Sequence, residues 1–240
     1  MAARLAQFVR CGKDGYMISM VEFEHRGFAL FSNACTEDEI NRLEASLSIV
    51  SRNKAGVRLS GLDKLSLELE VDGCVGAIAA NMLGRKARAV RAILFDKSTT
   101  TNWALTWHQD RAIAVKRRIA VDGFGPWTIK AGLQHVAPPF DLLTRMITIR
   151  VHLDPVTHDN SPLLVAVGSH SLGKISEDKI AAVVKASETF ACLAKRGDVW
   201  VYSTSILHAS GASRSPTGRR VLQVDYSVDE LPDGLEWLGV

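Results

Sequence analysis

The chain has 240 residues, 47% of them hydrophobic, and a formal net charge of +3 at pH 7. That length and apolar content suit one domain with a sizeable core, and no apolar run approaches the roughly 18 residues that a membrane span needs. The basic pairs Arg117-Arg118 and Arg219-Arg220 stand alone, so the charge offers no clustered surface for nucleic acid.

Residues 1–13 carry Arg4, Arg10 and Lys13 and no acid. The segment is short for a transit peptide and reads as an ordinary cytosolic N-terminus. Cys11, Cys35, Cys74 and Cys192 are scattered without a C-x-x-C pair, the pattern of reduced thiols in a cytoplasmic protein. Residues 22–31 form a short apolar-rich run read as a strand, ended by a turn at Ser32-Asn33. Thr36-Glu37-Asp38-Glu39 has capping-box form and is followed by Ile40, Leu43, Leu47 and Val50 at helical spacing. A second helix is expected over about 74–83, closed by Gly84.

From residue 89 the texture turns β. Residues 89–95, 146–153, 163–167, 198–202 and 220–226 are short and β-prone. Asp159-Asn160-Ser161-Pro162, Arg196-Gly197-Asp198 and Ser215-Pro216-Thr217-Gly218 supply turns between them. Residues 177–195 carry one expected helix. Helices followed by many short strands indicate an α+β, mainly β fold with a closed or double-sheet core. No repeat or linker divides the chain. It reads as a single domain over 1–240, with a helical and strand-bearing part over about 1–88 and the β core over about 89–228.

The segment 111–143 has little regular pattern, as lids and binding loops often do. Trp127, His135 and Phe140 are therefore candidates for closing over a substrate; the alternative is that they cover the open end of the β core.

An acid two residues after a histidine is a weak sign, because 26 acids in 240 residues and seven histidines supply about one match by chance. The chain has two: His108-Gln109-Asp110 and His152-Leu153-Asp154. On a strand such a pair points to one face, so imidazole and carboxylate meet one ion. A second histidine from a neighbouring strand completes a facial triad with three open positions, the set used by non-haem iron(II) oxygenases. His208 suits that place, since it follows the run 199–202 and stands among the small residues Ala209-Ser210-Gly211-Ala212-Ser213. Arg219 lies eleven residues further on, at the start of the last strong strand, where an inward guanidinium would hold a carboxylate through paired donors. If that strand alternates, Arg219, Gln223 and Asp225 share the inner face and Arg220 emerges at the rim; a bulge would exchange the two arginines.

These residues resemble the phytanoyl-CoA dioxygenase family of iron(II)/2-oxoglutarate oxygenases. The resemblance is carried by Trp107-His108-Gln109-Asp110, by Asp159-Asn160-Ser161-Pro162-Leu163 leading to Val167-Gly168-Ser169-His170, by Gly197-Asp198-Val199, and by His208-x-Ser210 with Arg219. Gly27-Phe28 and the capped helix match the family's opening, so the likeness runs over about 22–226. It implies a double-stranded β-helix (jelly-roll, cupin-like) core with flanking N-terminal helices, and His108, Asp110 and His208 as iron(II) ligands. It further implies Arg219 and Ser210 on the distal carboxylate of 2-oxoglutarate. Asn102, in the run leading to Trp107, would line the co-substrate pocket, and Trp107 joins the substrate candidates. His152-Leu153-Asp154 falls where the family closes a core strand, so His152 is expected to pack.

The implied activity is an O2-dependent dioxygenase reaction, most simply hydroxylation of an unactivated C–H bond of a small molecule with release of succinate and CO2. Asp110 argues against halogenation, which needs a small residue there. No evident basic cluster serves the phosphates of coenzyme A, so an acyl-CoA substrate does not carry over. No nucleic-acid or membrane partner is expected, and neither substrate nor oligomeric state can be read from the residues. Two rivals remain open: a metal-dependent cupin-like hydrolase, and a catalytically silent jelly-roll that binds a small molecule.

Overall fold

The computed structural model describes residues 8–9, 18–51, 54–98, 101–214 and 218–240. Cys11, almost all of the segment 1–13 and residues 215–217 of the expected Ser-Pro-Thr-Gly turn lie outside them. The chain opens with a two-stranded ribbon, β1 (Phe8–Val9) and β2 (Ile18–Ser19), then α1 (Met20–Arg26) and β3 (Phe28–Phe31). The strand expected over 22–31 is therefore only half strand. Phe23 is the one buried residue of the first half, so a short helix of about two turns suffices to seat it. Gly27 makes the change of direction at φ +84°, where a Cβ would stand 2.3 Å from His170 Nδ1.

The capping box forms as expected. In α2 (Glu37–Ser46), Thr36 Oγ1 accepts from Glu39 N at 3.3 Å and Glu39 Oε2 accepts from Thr36 N at 2.7 Å. Next come β4 (Gly56–Leu59), α3 (Asp63–Leu69) and α4 (Gly76–Leu83), the last closed by Gly84 at φ +94°. β5 (Arg88–Lys97) and β6 (Leu105–His108) begin the β core. The segment 111–143 is ordered despite its weak sequence pattern: β7 (Ile113–Val115), β8 (Trp127–Lys130) and β9 (Leu133–Val136) form a small antiparallel sheet, followed by α5 (Phe140–Thr144). The core resumes with β10 (Ile147–His152), β11 (Leu163–Ala166), β12 (Thr189–Cys192), β13 (Val199–Ser203), β14 (His208–Ser210) and β15 (Arg219–Ser227). The segment 177–195 carries its one expected α-helix. A 3-10 turn and α6 (Ile180–Ala186) end before β12, whose Thr-Phe-Ala-Cys run suits an edge strand.

One sheet runs β3-β13-β10-β15-β5-β4 and the other β12-β11-β14-β6. All their pairings are antiparallel. The eight core strands β5, β6 and β10–β15 pass back and forth between the two sheets, with β11 and β12 paired as neighbours in the smaller one, in the manner of a double-stranded β-helix, and the sheets do not close into a barrel. β10 is buried along its whole length because the large sheet is covered on both faces. Its outer face presents Ile147, Ile149, Val151, Leu222, Val224 and Tyr226, packed with Ile40, Leu43, Leu65 and Ile78 of the helical layer. Its inner face presents Arg91, Arg150, Arg219 and Gln223 to the space between the sheets. Among the described residues no helix is long and apolar enough to cross a membrane.

Candidate metal centre

β6 and β14 are neighbours, with His108 and His208 directly opposite in the ladder. The two rings stand 4.3 Å apart between centroids at 56°. Each holds its Nδ1 against a backbone carbonyl two residues back, His108 to Thr106 O at 2.7 Å and His208 to Ile206 O at 3.0 Å. A carbonyl only accepts, so Nδ1 carries the proton in both rings and Nε2 keeps its lone pair. Asp110 follows just beyond β6, and one donor atom each from His108, Asp110 and His208 lie within 4.8 Å of one another. Between the ligands Gln109 is pinned by Ser205 O at 2.8 Å, Gly173 O at 3.0 Å and the amide of Ile175 at 2.9 Å. Two imidazoles and one carboxylate, with the correct tautomers already set, fit a divalent iron ion.

Charge favours the same reading. Burial, followed by the facing His108, pushes His208 down to about 4, so it is a neutral donor at physiological pH. Burial works to raise Asp110, but Arg91 and the two histidines outweigh it and hold the carboxyl below its usual range. Arg91 carries no motif that marks it in the sequence. From β5 its Nη2 donates to Asp110 Oδ2 at 3.0 Å and its Nε to Asp225 Oδ2 at 2.5 Å. Asp225 accepts in turn from Thr148 Oγ1 at 3.0 Å.

The triad opens on a cavity of about 390 Å³ between the sheets. At one end stands Arg219, 2% exposed, its Nε donating to Asn160 O at 2.6 Å and its Nη2 to Ser161 O. The Asp-Asn-Ser-Pro turn thus aims the guanidinium. Asn160 rigidifies that turn by accepting from Thr157 N at 2.7 Å and donating to Pro155 O at 2.9 Å. Ser210 lines the same end, 3.5 Å from Arg219 Nη2. Lys97 and Arg150, likewise unmarked by any motif, stand beside them. Lys97 Nζ reaches Ser210 Oγ at 3.0 Å, and Arg150 Nη1 donates to Gln223 Oε1 at 2.8 Å. Burial and then Arg150 lower Arg219 to about 9; burial, Arg219 and Arg150 lower Lys97 to about 7. Among the described residues no carboxylate lines this end, so an anion bound there would relieve the mutual repulsion. The expected alternation of β15 holds at this point: Arg219 lines the cavity, and Arg220 pairs outward with Asp154 at 2.7 Å and Glu44 at 2.6 Å.

Other candidates are placed elsewhere. Asn102 does not line the cavity; its amide clips Ser213 O at 2.8 Å and Ser213 N at 2.7 Å, tying the loop before β6 to the one after β14. Trp107 packs on the Ala166–Ile175–Leu207 cluster. Trp127 and Phe140 pack on the apolar cluster of the small sheet, where Val115 and Trp237 meet. His135 is fully buried with Nδ1 on Leu133 O at 3.0 Å. None of these four touches the cavity; an aromatic in an inserted sheet is needed for that sheet's own core. His152 is buried, off the cavity, and held far below its ordinary value by burial first and Arg150 next. Its companion Asp154 faces Arg220, so the second H-x-D pair is no site. His170 donates from Nε2 to Glu24 O at 2.9 Å, bracing α1.

A facial set of two histidines and one carboxylate inside a double-stranded β-helix defines a mononuclear non-haem iron oxygenase. The profile of the family described as Phytanoyl-CoA dioxygenase (PhyH) matches residues 23–221. The chain belongs to that family and is an iron(II)/2-oxoglutarate-dependent oxidoreductase. Among solved structures it is similar to EctD from S. alaskensis with 2-oxoglutarate and 5-hydroxyectoine, at TM-score 0.66 and 17% identity over 92% of this chain and 78% of that one. It is similar also to AviO1 from Streptomyces viridochromogenes Tue57, at TM-score 0.60 and 18% identity over 89% and 95%. HygX from Streptomyces hygroscopicus, with nickel, 2-oxoglutarate and hygromycin B bound, gives TM-score 0.60 and 13% identity over 87% and 85%. At these identities the likeness concerns the fold. No curated protein matches the chain.

Proposed function

We propose that the chain is a dioxygenase that hydroxylates an unactivated C–H bond of a small molecule in the cytoplasm, converting 2-oxoglutarate and O2 to succinate and CO2. His108, Asp110 and His208 hold the iron, and Arg219 with Ser210 holds the distal carboxylate of 2-oxoglutarate. The observation that carries this is the placing of the two-histidine, one-carboxylate cluster and the buried, acid-free Arg219 end in one cavity. Iron bound there, with 2-oxoglutarate and O2, supplies the oxidising power for cleaving the C–H bond.

The chain's own residues do the rest. Thr106 O and Ile206 O orient the two imidazoles, and Arg91 keeps Asp110 ionised and fixed. Arg219, aimed by the 160–161 carbonyls, sets the direction of the keto acid along the cavity. Ile93, Phe95, Trp103 and Leu163 supply the apolar part of its wall. The hydrolase alternative would need a general base beside the metal. Among the described residues, every carboxylate or imidazole lining the cavity already belongs to the triad.

The test is an anaerobic titration of metal-free protein with iron(II) and then 2-oxoglutarate, followed by visible absorption. A weak charge-transfer band that needs both additions and disappears in His108→Ala is expected. Metal binding with no band on adding the keto acid would overturn the reading.

A further inference from the structure

The end of the cavity beside Asp110 is cationic as well. Arg58 lies on the edge strand β4 opposite Ile93. Ladder partners share a face, so Arg58 joins Arg91, Ile93 and Phe95 in facing the cavity. Lys130, the last residue of β8, reaches the same cavity from the inserted sheet. Neither makes a hydrogen bond or ion pair among the described residues, and Arg58 Nε is buried without a partner. The other two basic groups near this end are committed, Arg91 to Asp110 and Asp225, and Arg111 to Glu177 at 3.2 Å and Ile175 O at 2.5 Å.

The two cationic ends are separate along β5: Arg58 pairs with Ile93, and Arg219 pairs with Lys97 further along the strand. Arg58 feels Arg91 and Asp110, and Lys130 feels those and Arg58. Lys97 feels Arg219 and Arg150. Both Arg58 and Lys130, the latter at the exposed rim, are lowered by desolvation first and then by Arg91, because Asp110, already paired with Arg91, does not offset them as a free counter-ion would. The proposed co-substrate cannot supply that counter-ion. One of its carboxylates faces the metal and the other faces Arg219, so neither is left for the Arg58 end.

We infer that Arg58 and Lys130 are the substrate-recognition pair, and that the substrate is a small molecule with an anionic head, a carboxylate or a phosphate ester. This rests on the proposed function and narrows its substrate class. Because Arg58 and Lys130 line the same cavity as Asp110 and both feel its charge, the head lies beside the metal centre and the carbon oxidised is near it. The inserted sheet then serves specificity through Lys130 and not through Trp127, His135 or Phe140. The pair does not show as a basic cluster in the sequence because 72 positions separate its members.

The test uses protein loaded anaerobically with iron(II) and saturating 2-oxoglutarate, titrated calorimetrically with four matched probes: benzoate, phenyl phosphate, benzyl alcohol and benzylamine. One or both anions should bind at least about tenfold more tightly than the alcohol, with the amine weakest. Which anion leads distinguishes a carboxylate from a phosphate head. In Arg58→Met/Lys130→Met, and in part in Lys130→Met alone, that preference should fall to within about twofold. Affinity for 2-oxoglutarate, read from the charge-transfer band, should be unchanged in both variants. Equal binding of the probes, no binding of either anion at millimolar concentration, or a preference that survives the double variant would overturn the inference. A missing band in the wild-type protein would instead overturn the function reading, since probe binding is a separate titration.

Discussion

Arg91 donates to Asp110 Oδ2 at 3.0 Å and so occupies one carboxylate oxygen while leaving Oδ1 for a metal. The same guanidinium is fixed by Asp225 at 2.5 Å, and Asp225 by Thr148. The ligand is thereby aimed through a chain of buried groups spanning β5, β10 and β15. Partners of this kind that hold metal ligands typically contribute 10–100-fold in affinity. Arg91→Met should weaken iron(II) binding by about that factor in a chelator-competition titration. It should also lower the Tm, because Asp225 would be left buried and unpaired. Unchanged metal affinity would remove Arg91 from the centre.

Arg219 and Arg220 are adjacent but face opposite ways, which makes them a matched pair for mutagenesis. Arg219→Ala should raise the KM for 2-oxoglutarate at least about thirtyfold, the equivalent of about 2 kcal/mol for truncating a buried charged partner. Its iron affinity in the absence of keto acid should not move. Arg220→Ala should leave the KM alone and cost about 1 kcal/mol in a denaturant melt, because its pairs with Asp154 and Glu44 are partly exposed. A raised KM in Arg220→Ala with a normal one in Arg219→Ala would reverse the assignment.

The triad, Arg219 and Ser210 are legible in the sequence because each sits in a fixed local pattern: an acid two residues after a histidine, small residues after His208, an arginine opening a strand. Arg91 and Lys97 are not. In β5 the charged Arg91 and Lys97 share a partly polar face with the apolar Ile93 and Phe95, so the run reads only as β-prone, with no face marked for a site. Only the second sheet turns that polar face inward and makes it the cavity wall. Aromatic content is likewise a poor guide over 111–143, since Trp127 and Phe140 serve a small core with Val115 and Trp237 that periodicity does not announce. The stretch 177–195 mixes an α6 of seven residues with a four-residue strand, both too short for a period to separate them.

Gly27 tests the joint between the helical layer and the β core. Its φ of +84° and the 2.3 Å that would separate an added Cβ from His170 Nδ1 leave no room for a side chain. Gly27→Ala should lose about 1–3 kcal/mol in stability from backbone strain and displacement of His170 from Glu24. Calorimetry should show a lower Tm while iron affinity in the folded protein stays normal. A Tm equal to wild type would mean that α1 and the 168–172 turn are not braced against each other.

Lys97 gives the cofactor end a pH dependence. Burial, Arg219 and Arg150 bring it to about 7 with no anion present, and a carboxylate arriving beside it raises it again. Binding of 2-oxoglutarate therefore takes up a proton whenever the pH lies between the free and the bound value. The sign follows from linkage: affinity is full below about pH 7 and declines as pH rises, by at most about tenfold per unit for one proton. The Kd for 2-oxoglutarate on the iron-loaded protein, measured anaerobically from about pH 6 to 9, should climb through this window. Lys97→Met should flatten the climb and start from a weaker value. Arg219, brought to about 9, stays charged over the lower part of the range, so a slope that persists in Lys97→Met between about pH 6 and 8 would move the proton uptake to another group and free Lys97 from the co-substrate site.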